Sequence, residues 1–149
     1  MNEPNIRAPD ISICVANYNG ESVLRDCLQS VYAQHGNFTF EALLHDDAST
    51  DASLALVRSE FPDVHVIESH DNVGFCISNN RMAAAARGRY LLLLNNDATL
   101  RPGSLDALLR EAQSTARPAV LGLPQYTLHD GSLMDRGYEF DLFMNPIPV

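Results

Sequence analysis

Carboxylates and side-chain amides are concentrated in short polar segments that each follow an apolar run. Asp46 and Asp47 follow the apolar run 42–44 after a single histidine, and Asn95, Asn96 and Asp97 follow the five apolar residues 90–94. Adjacent carboxylates repel each other unless hydrogen bonds or cations compensate. A carboxylate at the end of a buried strand is an oxygen ligand suited to a hard divalent cation, provided that other oxygens complete its coordination shell. These two segments are therefore the first candidates for binding or catalysis.

Each polar segment also has a structural interpretation, which the sequence alone leaves open. Asp46 is placed to accept a hydrogen bond from a base N–H or a ribose hydroxyl, whereas Asp51 stands before a helical pattern and is suited to cap it. Segment 95–97 equally fits an Asx turn. Asn72 and Gly74 would let a phosphate or a sugar approach the backbone, and an ordinary turn selects the same residues.

The remaining candidates are single side chains. Tyr18 is suited to stack on a flat base or to pack beside a helix. Arg81, Arg87 and Arg89 are suited to a diphosphate, or to the carbonyls at a helix end. The histidines show no metal-ligand spacing and are predicted to be structural or exposed.

Short apolar runs and helical spacings alternate along the chain. The runs are typical of strands buried on both sides, and they cover residues 11–15, 42–44, 64–67, 90–94 and 120–123. Helical periodicity predicts four intervening helices, the third ended by Gly88 in a left-handed turn and the fourth opened by Pro102. Asp130 and Gly131 predict a hairpin turn. The pattern indicates an α/β fold, a mostly parallel sheet with helices on both faces, and ligands outside the carboxyl ends of its strands.

Composition excludes several classes of function. The 149 residues are 46% hydrophobic and 19% charged, a balance that predicts a globular domain. The net charge of −9 disfavours nucleic-acid binding. All ten basic residues are arginine, which excludes a Schiff-base lysine and a Walker lysine, and no G-x-G-x-x-G motif is present. Three widely spaced cysteines and the absence of a signal-peptide pattern predict a cytoplasmic protein.

Taken in order, the polar segments resemble family 2 of the inverting nucleotide-sugar glycosyltransferases, which have the GT-A (Rossmann-like) fold. The resemblance rests on residues 11–20, 45–51, 71–75 with Asn79 and Asn80, and 90–97, and it extends through 130–133. Asn95 at the first place of the D-x-D motif is most similar to rhamnosyltransferase-type members. The resemblance implies transfer of a sugar from a nucleoside diphosphate donor to a hydroxyl of a saccharide or lipid-linked acceptor, in polysaccharide or glycoconjugate synthesis.

The resemblance also implies roles for individual residues at the nucleoside end of the donor. Ala16 and Tyr18 match positions that line the base. Asp46 matches the carboxylate that contacts the base, and Asp47 lies beside it near the nucleoside.

Toward the diphosphate, Asn72, Gly74 and Asn80 match residues that face the donor. Asn96 matches the middle of the D-x-D motif, next to the ribose. Asp97 matches the ligand of Mg²⁺ or Mn²⁺ bound to the donor diphosphate. A cation shared between two phosphates neutralises the leaving group.

This chain departs from the family pattern in two respects. Asn95 carries no charge, so metal affinity rests on Asp97 and the phosphates. The general base of an inverting transfer lies in the acceptor half of the family and is expected beyond Val149. No motif surrounds the later carboxylates, which are Asp135, Glu139 and Asp141.

The expected organisation is a tail at 1–10, a nucleotide-sugar-binding core at 11–124 and the start of a truncated acceptor-side region at 125–149. Peripheral attachment to the inner face of a membrane is expected through regions outside this chain. The alternatives are a nucleotide-sugar-binding module without catalysis, an inactive fragment, or an interaction domain with vestigial loops.

Overall fold

The structure is a computed structural model that describes residues 8–116, 119–135, 138–140 and 146–148. The chain divides into two compact units, Met1–Pro102 and Gly103–Val149. Among the described residues, no helix has the length and apolar character needed to cross a membrane. The elements in chain order are β1 (Ile11–Asn17), α1 (Leu24–Tyr32), β2 (Phe40–Asp46), α2 (Ser53–Glu60), β3 (His65–Glu68), α3 (Phe75–Ala85), β4 (Tyr90–Asn95), α4 (Ser104–Ser114), β5 (Gln125–Tyr126), β6 (Leu133–Asp135), β7 (Tyr138–Phe140) and β8 (Pro146–Pro148).

A parallel sheet with the strand order β3-β2-β1-β4 forms the centre of the first unit. The first four predicted strands are confirmed. After β1 the chain builds β2 and β3 on one side, and β4 then pairs with the other side of β1. The order therefore reverses between β1 and β4. In a parallel sheet the loops diverge at such a point and leave a crevice at the carboxyl ends of the strands.

Helices cover both faces of this sheet, as predicted. Cys14 of β1 and Leu43 of β2 form a buried cluster with Met82 of α3 on one face. The alternate residue Ile13 is fully buried on the opposite face. There Asn17 reaches Ser53, the first residue of α2. Burial from both sides explains why the strands of the sequence are apolar runs rather than alternating patterns.

The predicted fifth strand at 120–123 is wrong. These residues have no regular secondary structure, and Val120 is fully exposed. An apolar run becomes a strand only where another strand supplies hydrogen bonds, and composition does not reveal the partner. The hairpin is confirmed, because β5 pairs antiparallel with β6 across a turn in which Gly131 has a φ of 69°.

Two predicted helix boundaries are also wrong. Helix α3 ends at Ala85 and is followed by extended backbone, so Gly88 is not a left-handed terminator. Gly88 instead lies against β1, where its N–H donates to Ser12 Oγ over 2.8 Å. Helix α4 begins at Ser104 after a left-handed Gly103, so Pro102 precedes the helix rather than opening it.

We expect Gly88→Ala to lower the free energy of unfolding by about 2 kcal/mol, because a new Cβ must displace backbone atoms. That Cβ would lie 2.6 Å from the carbonyl carbon of Ile11 and closer still to the backbone nitrogen of Ser12. Urea denaturation measures the change. Gly122→Ala is the matched control, since a Cβ at Gly122 meets nothing within 4 Å. Equal stability of the two variants would contradict the close approach.

Candidate functional site

The loops that follow β1 to β4 meet at the carboxyl edge of the sheet and enclose a cleft of about 240 Å³. Six of the eight residues predicted to bind nucleotide line this cleft, and Asp46 and Asn80 do not. The lining residues are Ala16, Asn17, Tyr18, Asp47, Asn72, Gly74, Phe75, Ser78 and Asn96. Tyr18 and Phe75 are more than half exposed there, so they offer aromatic surface to a ligand.

Asp47 holds the loop that forms one wall of the cleft. Its Oδ1 accepts from the N–H of Val73 and its Oδ2 accepts from the N–H of Gly74, each over 2.8 Å. The N–H of Asp47 donates to the carbonyl of Asn17 over 2.8 Å. Asp47 is only 4% exposed, and these hydrogen bonds offset the cost of burying its carboxylate. Each carboxylate oxygen retains a second lone pair for a ligand donor.

Asp46, the last residue of β2, does not line the cleft. Its side chain follows the alternation of the strand to the face that Asn17 also occupies. Asn17 Nδ2 donates to Asp46 Oδ1 over 3.0 Å, and the N–H of Ser49 donates to Asp46 Oδ2 over 3.1 Å. Both oxygens are thus engaged, and the residue is 3% exposed. Asn80, on α3, is exposed away from the cleft lining.

Asn17 is a cleft residue that the sequence prediction missed. Its side chain is 1% exposed and joins the ends of β1, β2 and β4. Its Nδ2 bonds Asp46, Ser49 and Ser53, and its Oδ1 accepts from Asn96 Nδ2 over 3.0 Å. Two features of the sequence could have identified it. Asn17 is the last residue of a buried strand, and it lies in the same alternating set of strand positions as apolar core residues.

Asp97 is exposed just beyond β4, directly after Asn96 of the cleft lining. The N–H of Ala98 donates to the carbonyl of Asn95 over 3.1 Å and closes a turn around Asp97. The pKa of the Cys27 thiol is raised to about 12, mainly by burial and to a smaller extent by the negative charge of Asp97. Within the described residues, no group of three or more His, Cys, Asp or Glu side chains could hold a metal ion. A cation at Asp97 would therefore need oxygen ligands from elsewhere.

On the opposite face of β2, the buried His45 contacts Arg81 of α3. Arg81 Nη1 lies 3.2 Å from His45 Nε2 and donates to Ser69 Oγ over 3.1 Å. An arginine only donates, so Nε2 accepts and Nδ1 carries the hydrogen. Nδ1 is buried without a partner in the described part of the chain. Burial lowers the pKa of His45; the charge of Asp47 opposes this effect, and the charge of Arg81 adds to it.

We expect the protein to lose stability as the pH falls below about 6.5, because the unfolded chain then takes up a proton that folded His45 resists. His45→Gln keeps an acceptor for Arg81 but cannot titrate. Its loss of stability between pH 7.5 and pH 5.5 should therefore be smaller than that of the wild type. Urea midpoints at the two pH values measure both losses, and identical losses would contradict the prediction.

A larger hollow of about 540 Å³ lies beside the first turns of α1 and α2. Its charged groups already have partners in the protein. Arg25 donates to both oxygens of Glu60. Asp51 accepts from the N–H of Ser53 and the N–H of Glu21. It therefore stabilises the start of α2, as predicted, although the cap position itself is Ala52, one residue later.

The arginines near α3 do not line the cleft, so the structure gives no support to the diphosphate interpretation. Arg87 pairs with Glu41 over 2.6 Å. The guanidinium carbon of Arg89 lies 5.2 Å from the centre of the Tyr90 ring. Arg81 bonds His45 and Ser69 as described above.

A comparison with known protein families identifies the family of this chain. Residues 12–147 match glycosyl transferase family 2. The chain belongs to this family. Succinoglycan biosynthesis protein ExoO of Rhizobium meliloti (strain 1021) is 36% identical over 136 residues, which cover 89% of this chain and 39% of ExoO. The chain thus spans well under half of the length of ExoO.

Solved structures show the same fold. Staphylococcus aureus TarS 1–349 in complex with UDP aligns with a TM-score of 0.62 and 25% identity, over 70% of this chain and 32% of TarS. The mannosyltransferase PcManGT from Pyrobaculum calidifontis, in complex with GDP-Man and Mn²⁺, aligns with a TM-score of 0.63 and 24% identity, over 77% of this chain and 34% of that enzyme. The parallel sheet and its helices are a GT-A fold.

Proposed function

We propose that this family 2 chain binds the donor of an inverting glycosyltransferase, which moves a sugar from a nucleoside diphosphate to an acceptor hydroxyl. The observation that carries the proposal is the cleft at the reversal of strand order, because it joins loops from β1, β2, β3 and β4. A ligand as long as a nucleotide sugar needs contacts from several such loops. TarS and PcManGT, which share this fold, were solved with UDP and GDP-Man respectively.

Within the cleft, Ala16 and Tyr18 form the surface for the base, and Asn72 and Gly74 face the nucleotide. We assign the carboxylate contact with the base to Asp47 instead of Asp46. Asp47 lines the cleft and Asp46 does not, although each carboxylate accepts two hydrogen bonds within the protein.

Asp97 would hold Mg²⁺ or Mn²⁺ together with the donor phosphates. Its exposure at the end of β4, next to Asn96 in the cleft, fits a site that shares the cation with the ligand. A hard divalent cation takes oxygen ligands, and phosphates can supply those that the protein lacks. When bound, the cation stabilises negative charge on the departing diphosphate.

We place the general base and the acceptor site in the acceptor half of the family, outside this chain. The backbone of Asp135 lies in β6 and that of Glu139 in β7, and Asp141 lies outside the described residues. The acceptor would be a saccharide or a lipid-linked saccharide, in polysaccharide or glycoconjugate synthesis. Free Cys14, Cys27 and Cys76 support a cytoplasmic location, and acceptor chemistry would bring the protein to the inner face of the membrane.

Isothermal titration calorimetry with UDP, dTDP and GDP, each with and without Mn²⁺, tests the donor site. We expect one nucleotide to bind and Mn²⁺ to increase its affinity. Hydrolysis or transfer from the matching nucleotide sugar then separates an enzyme from a binding module that lacks catalysis. Failure of all three nucleotides to bind would contradict the proposal.

A further inference from the structure

We propose that Asn17 is a positioning residue that holds Asn96 through its side chain and Asp47 through its backbone carbonyl, and so fixes the loops after β2 and β4 relative to each other at the donor cleft. The inference rests on the proposed donor function, and it adds a residue that the D-x-D motif does not contain. Asp46, Asn17 and Asn96 form a hydrogen-bonded set, the Asn17 network.

The chemistry of Asp46 sets the direction of every hydrogen bond in the Asn17 network. An ionised carboxylate only accepts, so Asn17 must turn its Nδ2 toward Asp46 Oδ1, 3.0 Å away. Its Oδ1 then faces Asn96, and Asn96 must present Nδ2 to it, also at 3.0 Å. A carboxylate on β2 thereby determines which end of the Asn96 amide is held at the end of β4. In the described part of the chain, Asn96 Oδ1 has no hydrogen-bond partner and remains an acceptor for a ligand.

Burial makes this arrangement difficult to reverse. Asn17 is 1% exposed, so water does not replace a lost partner. A rotated Asn17 amide would place its oxygen against Asp46 Oδ1 and its nitrogen against Asn96 Nδ2. Both contacts would be repulsive, and buried polar groups without partners are costly.

Gly20 packs tightly against the Asn17 network and leaves no room for a different arrangement. A Cβ at Gly20 would lie 2.5 Å from Asn96 Nδ2 and closer still to Asn17 Oδ1. The backbone of Gly20 has no left-handed φ, so its need for glycine comes from this close approach. The main chain of the loop after β1 therefore confines the hydrogen bond between the two amides.

The backbone of Asn17 extends the same control to the base side of the cleft. Its carbonyl accepts from the N–H of Asp47, whose carboxylate holds Val73 and Gly74. One residue thus connects the β2 loop, the β3 loop through Asp47, and the β4 loop through Asn96. Because Asn96 immediately precedes Asp97, a shift of Asn96 would also move the Asp97 carboxylate, the proposed metal ligand, relative to the nucleoside.

Asn17→Asp is the sharpest test, because it keeps the size of the side chain and the acceptor toward Asn96. The variant places a second carboxylate against Asp46, and such a pair shares a proton at low pH and repels when both are ionised. We expect UDP, dTDP or GDP with Mn²⁺ to bind about tenfold more weakly than to wild type at pH 8, and within about twofold of wild type at pH 5.5. The ratio of the two proteins' nucleotide affinities is taken at each pH, so any effect of the nucleotide's own titration cancels.

The side-chain amide signals of Asn96 in ¹H–¹⁵N spectra of the free protein provide a second readout. Between pH 8 and pH 5.5 they should move more in Asn17→Asp than in wild type, because the variant adds a carboxyl group that contacts Asn96 directly. Gln34→Met is the matched control, since Gln34 is a buried amide that donates to the carbonyls of Ser30 and Arg101. It should lower stability and leave nucleotide affinity unchanged. Gly20→Ala should weaken nucleotide binding at both pH values.

The outcomes separate this inference from the donor function. If wild type binds a nucleotide and Asn17→Asp matches it at both pH values, the inference is overturned and the donor function stands. If no nucleotide binds to wild type, the donor function and the positioning role both fail. Asn96 signals that respond to pH no more in Asn17→Asp than in wild type overturn the network whether or not nucleotides bind.

Discussion

Asp97→Asn is expected to abolish the increase in nucleoside diphosphate affinity that Mn²⁺ produces, while metal-free binding of the nucleotide stays within about twofold of wild type. Asp97 is the only charged side chain of segment 95–97, and asparagine keeps its size. A neutral amide oxygen is a much weaker ligand for a hard cation than a carboxylate. The substitution leaves Ala16, Tyr18 and Asp47, which we propose contact the base, unchanged. Calorimetry with and without Mn²⁺ measures both quantities.

The control for this prediction is Asp63→Asn. Asp63 is an exposed aspartate in the loop that precedes β3, at the amino end of that strand. The two substitutions change net charge equally, so a general electrostatic effect on an anionic ligand would appear in both. An Mn²⁺ effect that survives in Asp97→Asn would remove Asp97 from the metal site. An effect lost in both variants would point to overall charge rather than ligation.

The central sheet could be predicted from the sequence because its strands are buried on both faces. Strands such as β1 and β4 then become uninterrupted apolar runs, and the polar residues that follow them mark the carboxyl edge. The run at 120–123 has the same composition and forms no strand. A strand also requires hydrogen-bonding neighbours, which depend on the whole sheet.

The position of the cleft at the carboxyl edge of the sheet could be predicted, but which of the two neighbouring carboxylates lines it could not. Successive side chains of a strand point to opposite faces of the sheet up to the last residue of the strand, which in β2 is Asp46. Asp46 therefore follows the strand to a buried face, while Asp47 enters the loop and lines the cleft. The ends of strands are the least predictable feature of a sequence. Asn17 was missed for a related reason, since its role depends on partners from two other loops.

The largest expected effect on the base side of the cleft is that of Asp47→Asn. An asparagine can accept from only one of the two N–H groups, of Val73 and Gly74, that Asp47 now binds. Its NH₂ group would face the other N–H, and that donor would lose its partner. Leaving a partly buried donor unpaired costs about 1–3 kcal/mol. We expect the free energy of unfolding to fall by about that amount and nucleotide affinity to fall on the order of tenfold or more, with and without Mn²⁺.

Asp51→Asn separates these two consequences of Asp47→Asn. Asp51 also accepts from two backbone N–H groups, those of Ser53 and Glu21, but it borders the other hollow rather than the cleft. Its substitution should therefore cost a similar amount of stability and leave nucleotide affinity unchanged. Urea denaturation and calorimetry on both variants make the comparison. If Asp51→Asn weakened nucleotide binding as much as Asp47→Asn, the loss would reflect general loosening of the loops, and the base contact would have to be assigned to another residue of the cleft.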